Sequence, residues 1–371
     1  MVCGEPSADL QAANLAKALK TLSPQIKVLA VGGENLRQAG ADVFYDIKEL
    51  SAIGFFDVIK KLPKFFELKK IILAKIKEQN PDAVILVDFS GFNLRLAKAI
   101  NKNLPTIYFI SPQVWASRPG RVKTIKKYIH KMIVLFKFEE EFYQRYGMDV
   151  DFIGHPLLDI VRPTTEAITF LNQFDLSQYK TTIALLPGSR KTEVRYILPI
   201  MLEAASLIKQ QISEAQFVVA KSPQVDFGLY NRLCAPFKLD LKIIEGLTYD
   251  CLNIADFALV ASGTATLETA IMQKPFLVIY RMNNLNYFLY RPQIKLPFIG
   301  MVNIVAQRKI IPEFIQFQAL PQDIAQETVK TLTDPAKIGQ IKKDLSLVKS
   351  LLGQNGASLR AAKIIIDFLN H

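Results

Sequence analysis

Histidine and cysteine are scarce in this chain, and their scarcity excludes several kinds of chemistry. Only His130, His155 and His371 are present, too few and too scattered for a histidine-built metal site. Cys3, Cys234 and Cys251 are too far apart for metal-ligand spacing and too few for a disulfide framework. The expectation is metal-independent, cofactor-free chemistry in a reducing compartment. No apolar run approaches the ~18 to 20 residues a spanning helix needs. Met1-Val2-Cys3-Gly4-Glu5 offers neither the charged nor the apolar region of a signal peptide. A cytosolic protein, or one lying on a membrane surface, is expected. Acidic residues are also in deficit: 34 Asp and Glu against 46 Lys and Arg leave a net charge of +12. That balance suits nucleic acid, anionic lipid or a phosphorylated substrate. No recognition-helix or zinc motif and no RNA-binding aromatic strand appears, so nucleic acid ranks last and is not expected as a partner.

What the chain does have is alternation. Short apolar runs at 28–31, 83–87, 106–110 and 132–135, and again at 182–186, 216–220, 257–260 and 276–280, are separated by segments of helical period. With 371 residues this predicts two doubly wound α/β domains. The expected division is residues 1–160, residues 161–352, and a terminal helix within 353–371. The two-proline stretch from Gly154-His155-Pro156 to Val161-Arg162-Pro163 is the candidate linker. One feature is irregular: the first turn begins at Gly4, so either the first strand is stunted or native residues precede Met1.

Ligands of open α/β sheets bind beyond the carboxyl ends of the strands. Asp88, Ser111-Pro112-Gln113-Val114-Trp115, Pro187-Gly188-Ser189-Arg190 and Ala261-Ser262-Gly263-Thr264 all fall at such ends, and would line one cleft if two such domains stand opposite each other. The last of these turns leads into a helical segment. Its small residues expose backbone N–H groups to an anion. Glu268, one turn on, is placed to accept hydrogen bonds from ribose hydroxyls, so the pair describes a nucleotide site. An ordinary strand-to-helix turn fits the same pattern.

Six further stretches join this one in a fixed order: Gly4-Glu5-Pro6-Ser7-Ala8-Asp9-Leu10, Asp88-Phe89-Ser90-Gly91-Phe92-Asn93, Ser111 to Ala116, Phe152-Ile153-Gly154-His155-Pro156, Leu185 to Arg190 and Tyr280-Arg281-Met282. Together they resemble the lipid-A-disaccharide synthase family along essentially the whole length. The resemblance implies a GT-B glycosyltransferase whose final helix crosses back to the first domain. It implies inverting transfer from UDP-2,3-diacylglucosamine to 2,3-diacylglucosamine 1-phosphate (lipid X), giving a β-1,6 disaccharide 1-phosphate and UDP. It further implies a peripheral enzyme on the cytosolic face of the Gram-negative inner membrane, with a homodimer among the possible assemblies. Three positions depart from the commoner pattern: Ala8 for a glycine, Gln11 for a histidine, and Gly91 for a second aspartate.

On that resemblance Asp88 is the expected general base for the acceptor 6-hydroxyl, and Glu5 a second acid that orients the acceptor. The bland readings are a helix cap and a solvated carboxylate. Arg190, with Gly188 and Ser189, would clamp the diphosphate, assisted by Gly263 and Thr264. Glu268 would hold the ribose, Asn303 would lie near the nucleotide, and Arg281 would approach phosphate. Ser7, Asp9 and Trp115 are acceptor-side or loop candidates. His155 reads as a hinge residue.

Residues 53–70 interleave Phe55, Phe56, Phe65 and Phe66 with lysines that include Lys60, Lys61 and Lys64. Such a basic amphipathic segment suits an anionic lipid surface, although a helix packed on the sheet has the same pattern. The remaining rival is a GT-B transferase or epimerase acting on a soluble UDP-amino sugar.

Overall fold

The computed structural model describes residues 1–51, 62–290 and 296–370. Phe55, Phe56, Lys60 and Lys61 lie outside the described residues. The chain forms two compact units, Met1–Asp159 with Leu352–His371, and Ile160–Leu351.

In the first unit the strands are β1 (Leu29–Gly32), β2 (Asp42–Asp46), β3 (Val84–Val87), β4 (Thr106–Phe109), β5 (Lys131–Val134) and β6 (Asp151–Phe152). All pair in parallel, β1 with β2 and β3 through β6 in sequence. The runs Val84–Val87 and Thr106–Phe109 are buried at every residue, as strands covered on both faces must be. Val2 joins the two sets. It bridges both Val31 and Leu86, its N–H donates to the Ile85 carbonyl at 2.9 Å, and its carbonyl accepts from Val87 N–H at 2.9 Å. One residue therefore stands where a strand would lie between β1 and β3. Counting it as first, the order is 3-2-1-4-5-6-7, which contains the 3-2-1-4-5-6 pattern of a dinucleotide-type sheet, and its reversal point lies between the Gly4 turn and the Asp88 turn.

The helix Pro6–Leu22 starts with proline at its first position and buries Ala8, Ala12, Ala13 and Ala16, small residues that permit close approach. The C-terminal helix Ala357–Asn370 packs on it within the same unit, burying Ala357, Ala361, Ala362 and Ile365.

The second unit holds β7 (Thr181–Leu186), β8 (Ala215–Lys221), β9 (Leu241–Glu245), β10 (Phe257–Ala261), β11 (Phe276–Tyr280) and β12 (Glu313–Ile315) in one parallel sheet, ordered β12-β11-β10-β7-β8-β9. The order reverses between β7 and β10. The turns that follow these two strands, at Gly188 and Gly263, thus flank the crevice where such sheets bind ligands. Helix Lys191–Gln211 buries nine residues against this sheet, despite carrying Pro199 inside it.

Candidate active site

Asp88 ends β3 in a conformation that few side chains adopt. Its φ is +48° and that of Phe89 is +50°, two consecutive left-handed residues without glycine. Such positions cost about 1–3 kcal/mol each and persist where the surroundings over-determine them. Here the surroundings are explicit. The Asp88 carbonyl accepts from the Tyr108 hydroxyl at 2.5 Å and from Asn93 Nδ2 at 2.8 Å, and its N–H donates to the Phe109 carbonyl at 3.3 Å. Phe89 lies against Gly4 so closely that a Cβ there would meet the ring at 2.4 Å. The Gly4-Glu5 turn and the Asp88-Phe89 turn are therefore pressed together, and Glu5 comes close enough to act on Asp88. Burial first, and the Glu5 carboxylate second, push Asp88 up to about 6.

The remaining first-unit candidates divide. Ser7 is exposed on the first turn of its helix. Asp9 is 2% exposed, and its carboxylate accepts from Gly33 N–H (2.6 Å), Asn35 N–H (3.0 Å) and Asn35 Nδ2 (3.0 Å). It ties the helix to the turn after β1, so both oxygens of this acceptor-side or loop candidate are already engaged within the fold. Trp115 is half-buried, edge-on to Phe138, and donates its indole N–H to Glu139 Oε1 at 3.0 Å. Glu139 was not foreseen. It is 2% exposed, its Oε2 accepts from the Leu135 and Phe136 N–H groups at 3.2 Å each, and burial pushes it up to about 7. The available signal was a glutamate at the third position of a helix, three residues after the N-cap Phe136, the spacing of a helix-capping carboxylate. His155 is buried and held neutral, its pKa lowered to about 4 by burial. Its N–H donates to the Leu352 carbonyl at 2.8 Å, which ties the strand region to the returning C-terminal segment.

Phe65 and Phe66, in the helix Leu62–Gln79, point to different surroundings. Phe65 packs on Phe89 and Phe92 at ring distances of 5.9 and 6.0 Å, whereas Phe66 is 55% exposed beside exposed Lys64.

In the second unit Gly188 has φ +106°, and a Cβ on it would meet Glu193 Oε2 at 2.5 Å. That same oxygen accepts from Ser189 N–H at 3.1 Å and Arg190 N–H at 3.2 Å, while Arg190 Nη1 lies 3.3 Å from Glu193 Oε1. An internal carboxylate thus occupies the donors that an anion would use. The Arg190 side chain is largely exposed. At the other turn, Gly263 is exposed and a Cβ there would meet nothing within 4 Å, so the backbone of Gly263 and Thr264 is open to approach. Glu268 is half-buried, with its pKa raised by burial, and accepts from the Tyr249 hydroxyl at 3.2 Å. Tyr249 was not foreseen. Arg281 follows β11 directly and is half-buried.

Asn303, expected near the nucleotide, lies behind the Gly263 turn. It is fully buried and its amide is saturated: Oδ1 accepts from Ile310 and Ile311 N–H, and Nδ2 donates to the Ile311 carbonyl and Glu313 Oε1. Glu313 in turn holds the Ile299 and Gly300 N–H groups, and the Ile299 carbonyl accepts from Ser262 Oγ at 3.1 Å. Asn303 thus acts on the Gly263 turn from behind and presents no free polar atom to a nucleotide.

A family model described as lipid-A-disaccharide synthetase matches residues 1–366. The lipid-A-disaccharide synthase of Syntrophus aciditrophicus is 40% identical over 371 residues, covering 100% of this chain and 97% of that one. The enzyme of the same name from Myxococcus xanthus is 34% identical over 370 residues, again 100% and 97%. Among solved structures, the glycotransferase of kitacinnamycin superposes with a TM-score of 0.67 at 16% identity, covering 100% of this chain and 98% of that one. The UDP-GlcNAc 2-epimerase of Neisseria meningitidis bound to UDP-GlcNAc gives 0.61 at 11% identity, covering 99% and 98%. At such identities the structural likeness shows the fold, which is the GT-B class.

Proposed function

This chain belongs to the lipid-A-disaccharide synthase family, a glycosyltransferase family that joins a UDP-sugar donor to a lipid acceptor, and from that premise we propose how its own residues divide the work. Membership sets aside the soluble amino-sugar reading. The donor is UDP-2,3-diacylglucosamine and the acceptor 2,3-diacylglucosamine 1-phosphate. The acceptor 6-hydroxyl oxygen attacks the donor's anomeric carbon, the bond from that carbon to the diphosphate oxygen breaks, and UDP leaves with the bonding electrons. Attack from the face opposite UDP inverts the centre and forms the β-1,6 linkage. The hydroxyl proton passes to Asp88, whose raised pKa strengthens it as a base while leaving it largely ionised at neutral pH. Glu5 orients the acceptor and keeps that pKa up.

In this reading residues 1–160 and the helix in 353–371 serve the acceptor, and residues 161–352 serve the donor. Glu268, with one oxygen taken by Tyr249, accepts from the ribose hydroxyls with the other. The exposed Arg190 side chain and the exposed backbone of Gly263 and Thr264 meet the diphosphate, with Arg281 at the edge of the same crevice; Gly188 and Ser189 join them only where the diphosphate displaces the Glu193 carboxylate from their turn. No helix among the described residues is long and apolar enough to cross a membrane. Contact with the inner leaflet is assigned to Phe66 and Lys64, continued by Phe55, Phe56, Lys60 and Lys61.

The observation that carries the reading is the doubly strained Asp88-Phe89 turn held against Gly4-Glu5. The deciding experiment measures disaccharide formation from the two substrates in detergent, with Asp88→Asn and Glu268→Ala beside the parent. Loss of turnover with intact UDP binding in the first variant, and weakened UDP binding in the second, is expected. Near-parental turnover by Asp88→Asn would overturn the base assignment.

A further inference from the structure

We propose that the guanidinium groups of Arg95, Arg118 and Arg121 form a subsite for a phosphate monoester, the one carried by the acceptor. The inference rests on the placement of the acceptor beside Asp88. Three features of the first unit bring the arginines together. Arg118 precedes and Arg121 ends the turn Pro119–Arg121, three residues apart and joined by the hydrogen bond from Arg121 N–H to the Arg118 carbonyl at 3.0 Å. The helix that follows, Val122–Tyr128, packs on the helix Ser90–Ile100, which carries Arg95. That second helix springs from the Asp88-Phe89 turn itself. The cluster also feels the site: Arg118 and Arg95 both depress the Arg121 pKa, after desolvation, while the Tyr108 phenol opposes them, and Tyr108 is the residue bonded to the Asp88 carbonyl.

Like charges gathered without a counter-charge are costly unless an anion completes them. Among the described residues none of the three guanidinium groups has an ion-pair or side-chain hydrogen-bond partner, a state shared by several lone arginines of the chain; what sets these three apart is that they stand near enough for Arg118 and Arg95 to act on Arg121. Three planar donors suit the oxygens of a phosphate bearing close to two charges, which guanidinium recognises bidentately. Arg95 and Arg118 are exposed and Arg121 is half-buried, so the group is reachable from solvent. Two phosphates could occupy it, that of a sugar 1-phosphate acceptor or the headgroup of an anionic membrane lipid.

Trp115, the only tryptophan, stands three residues before Arg118 and supplies a direct binding signal. The parent and Arg118→Gln/Arg121→Gln are titrated, in nonionic detergent, with 2,3-diacylglucosamine 1-phosphate and with its phosphate-free counterpart. The parent should favour the phosphorylated ligand by about tenfold or more, and the double variant should lose that preference, with Arg118→Lys/Arg121→Lys recovering part of it. In turnover, the acceptor KM should rise while the donor KM stays. A variant that keeps the parental preference overturns the proposal. So does a variant that keeps it but no longer binds phosphatidylglycerol vesicles, since the cluster would then serve the membrane. Failure of the base assignment shows separately, as turnover retained by Asp88→Asn with the phosphate preference intact.

Discussion

Gly4 and Phe89 are in contact so close that a Cβ at position 4 would lie 2.4 Å from the Phe89 ring. This contact welds the turn bearing Glu5 to the turn bearing Asp88. Gly4→Ala must move the ring or the turn, and overpacking of that kind costs typically about 1–3 kcal/mol. The expected outcome is a lower melting temperature with a disproportionate fall in kcat. A variant that melts lower but turns over normally would show that the weld serves folding alone.

The acid limb of the pH profile should report Asp88. Its carboxylate is the active form and its pKa lies at about 6, so kcat/KM should fall below that pH. Glu5→Gln removes the second cause of the raised pKa and should move the limb to lower pH, a displacement read from the two profiles side by side.

Stability follows the same group with the opposite sign. A folded-state pKa raised above the unfolded value of 3.8 means that the native state favours the proton. The stabilising contribution is complete below pH ~4 and is lost as pH rises through about 6. Asp88→Asn should therefore melt higher than the parent at pH 7, with the gap closing by pH 4. Calorimetry at the two pH values tests this, and a variant that is inactive yet more stable is the signature of a strained functional site.

Asn303→Ala leaves four buried or half-buried hydrogen-bonding groups short of their partner, so the loss should be chiefly one of stability, roughly 2–4 kcal/mol. UDP affinity should fall only as far as the Ile299-to-Ser262 link loosens. Chemical denaturation beside UDP titration separates the two. A large loss of affinity in a fully stable protein would restore a direct nucleotide contact.

The buried strands were legible because they are unbroken apolar runs: Val84–Val87 and Phe257–Ala261 are buried at every residue. β2, β6, β9 and β12 escaped the reading. Their sequences, such as Asp42-Val43-Phe44-Tyr45-Asp46, mix charge with apolar residues because the strands are only partly covered. The turns after β3, β7 and β10 could be read from small residues and acids at strand ends. What the sequence could not give was partnership. Nothing local says that Asp9 would be spent on the turn after β1, or that Asn303 would be saturated by residues 310–313. Glu193 reads as an ordinary first-turn acid until its oxygen is found on Ser189 and Arg190. Such roles arise from contacts across the fold, which pattern and spacing do not encode.

Glu139 offers a final test, because its partner is the only fluorophore of its kind in the chain. The carboxylate accepts from the Trp115 indole at 3.0 Å, and burial raises its pKa to about 7. Below that pH the carboxyl gains a proton, and the indole loses a charged acceptor in favour of a neutral one, a weaker bond. Tryptophan emission should therefore titrate with a midpoint near 7, and Glu139→Gln should abolish the transition. The linked stability has the same sign as at Asp88: it is present at low pH and lost as pH rises through about 7. Should the emission stay flat from pH 5 to 8, Glu139 keeps its charge throughout that range, and the three N–H donors around it outweigh the cost of its burial.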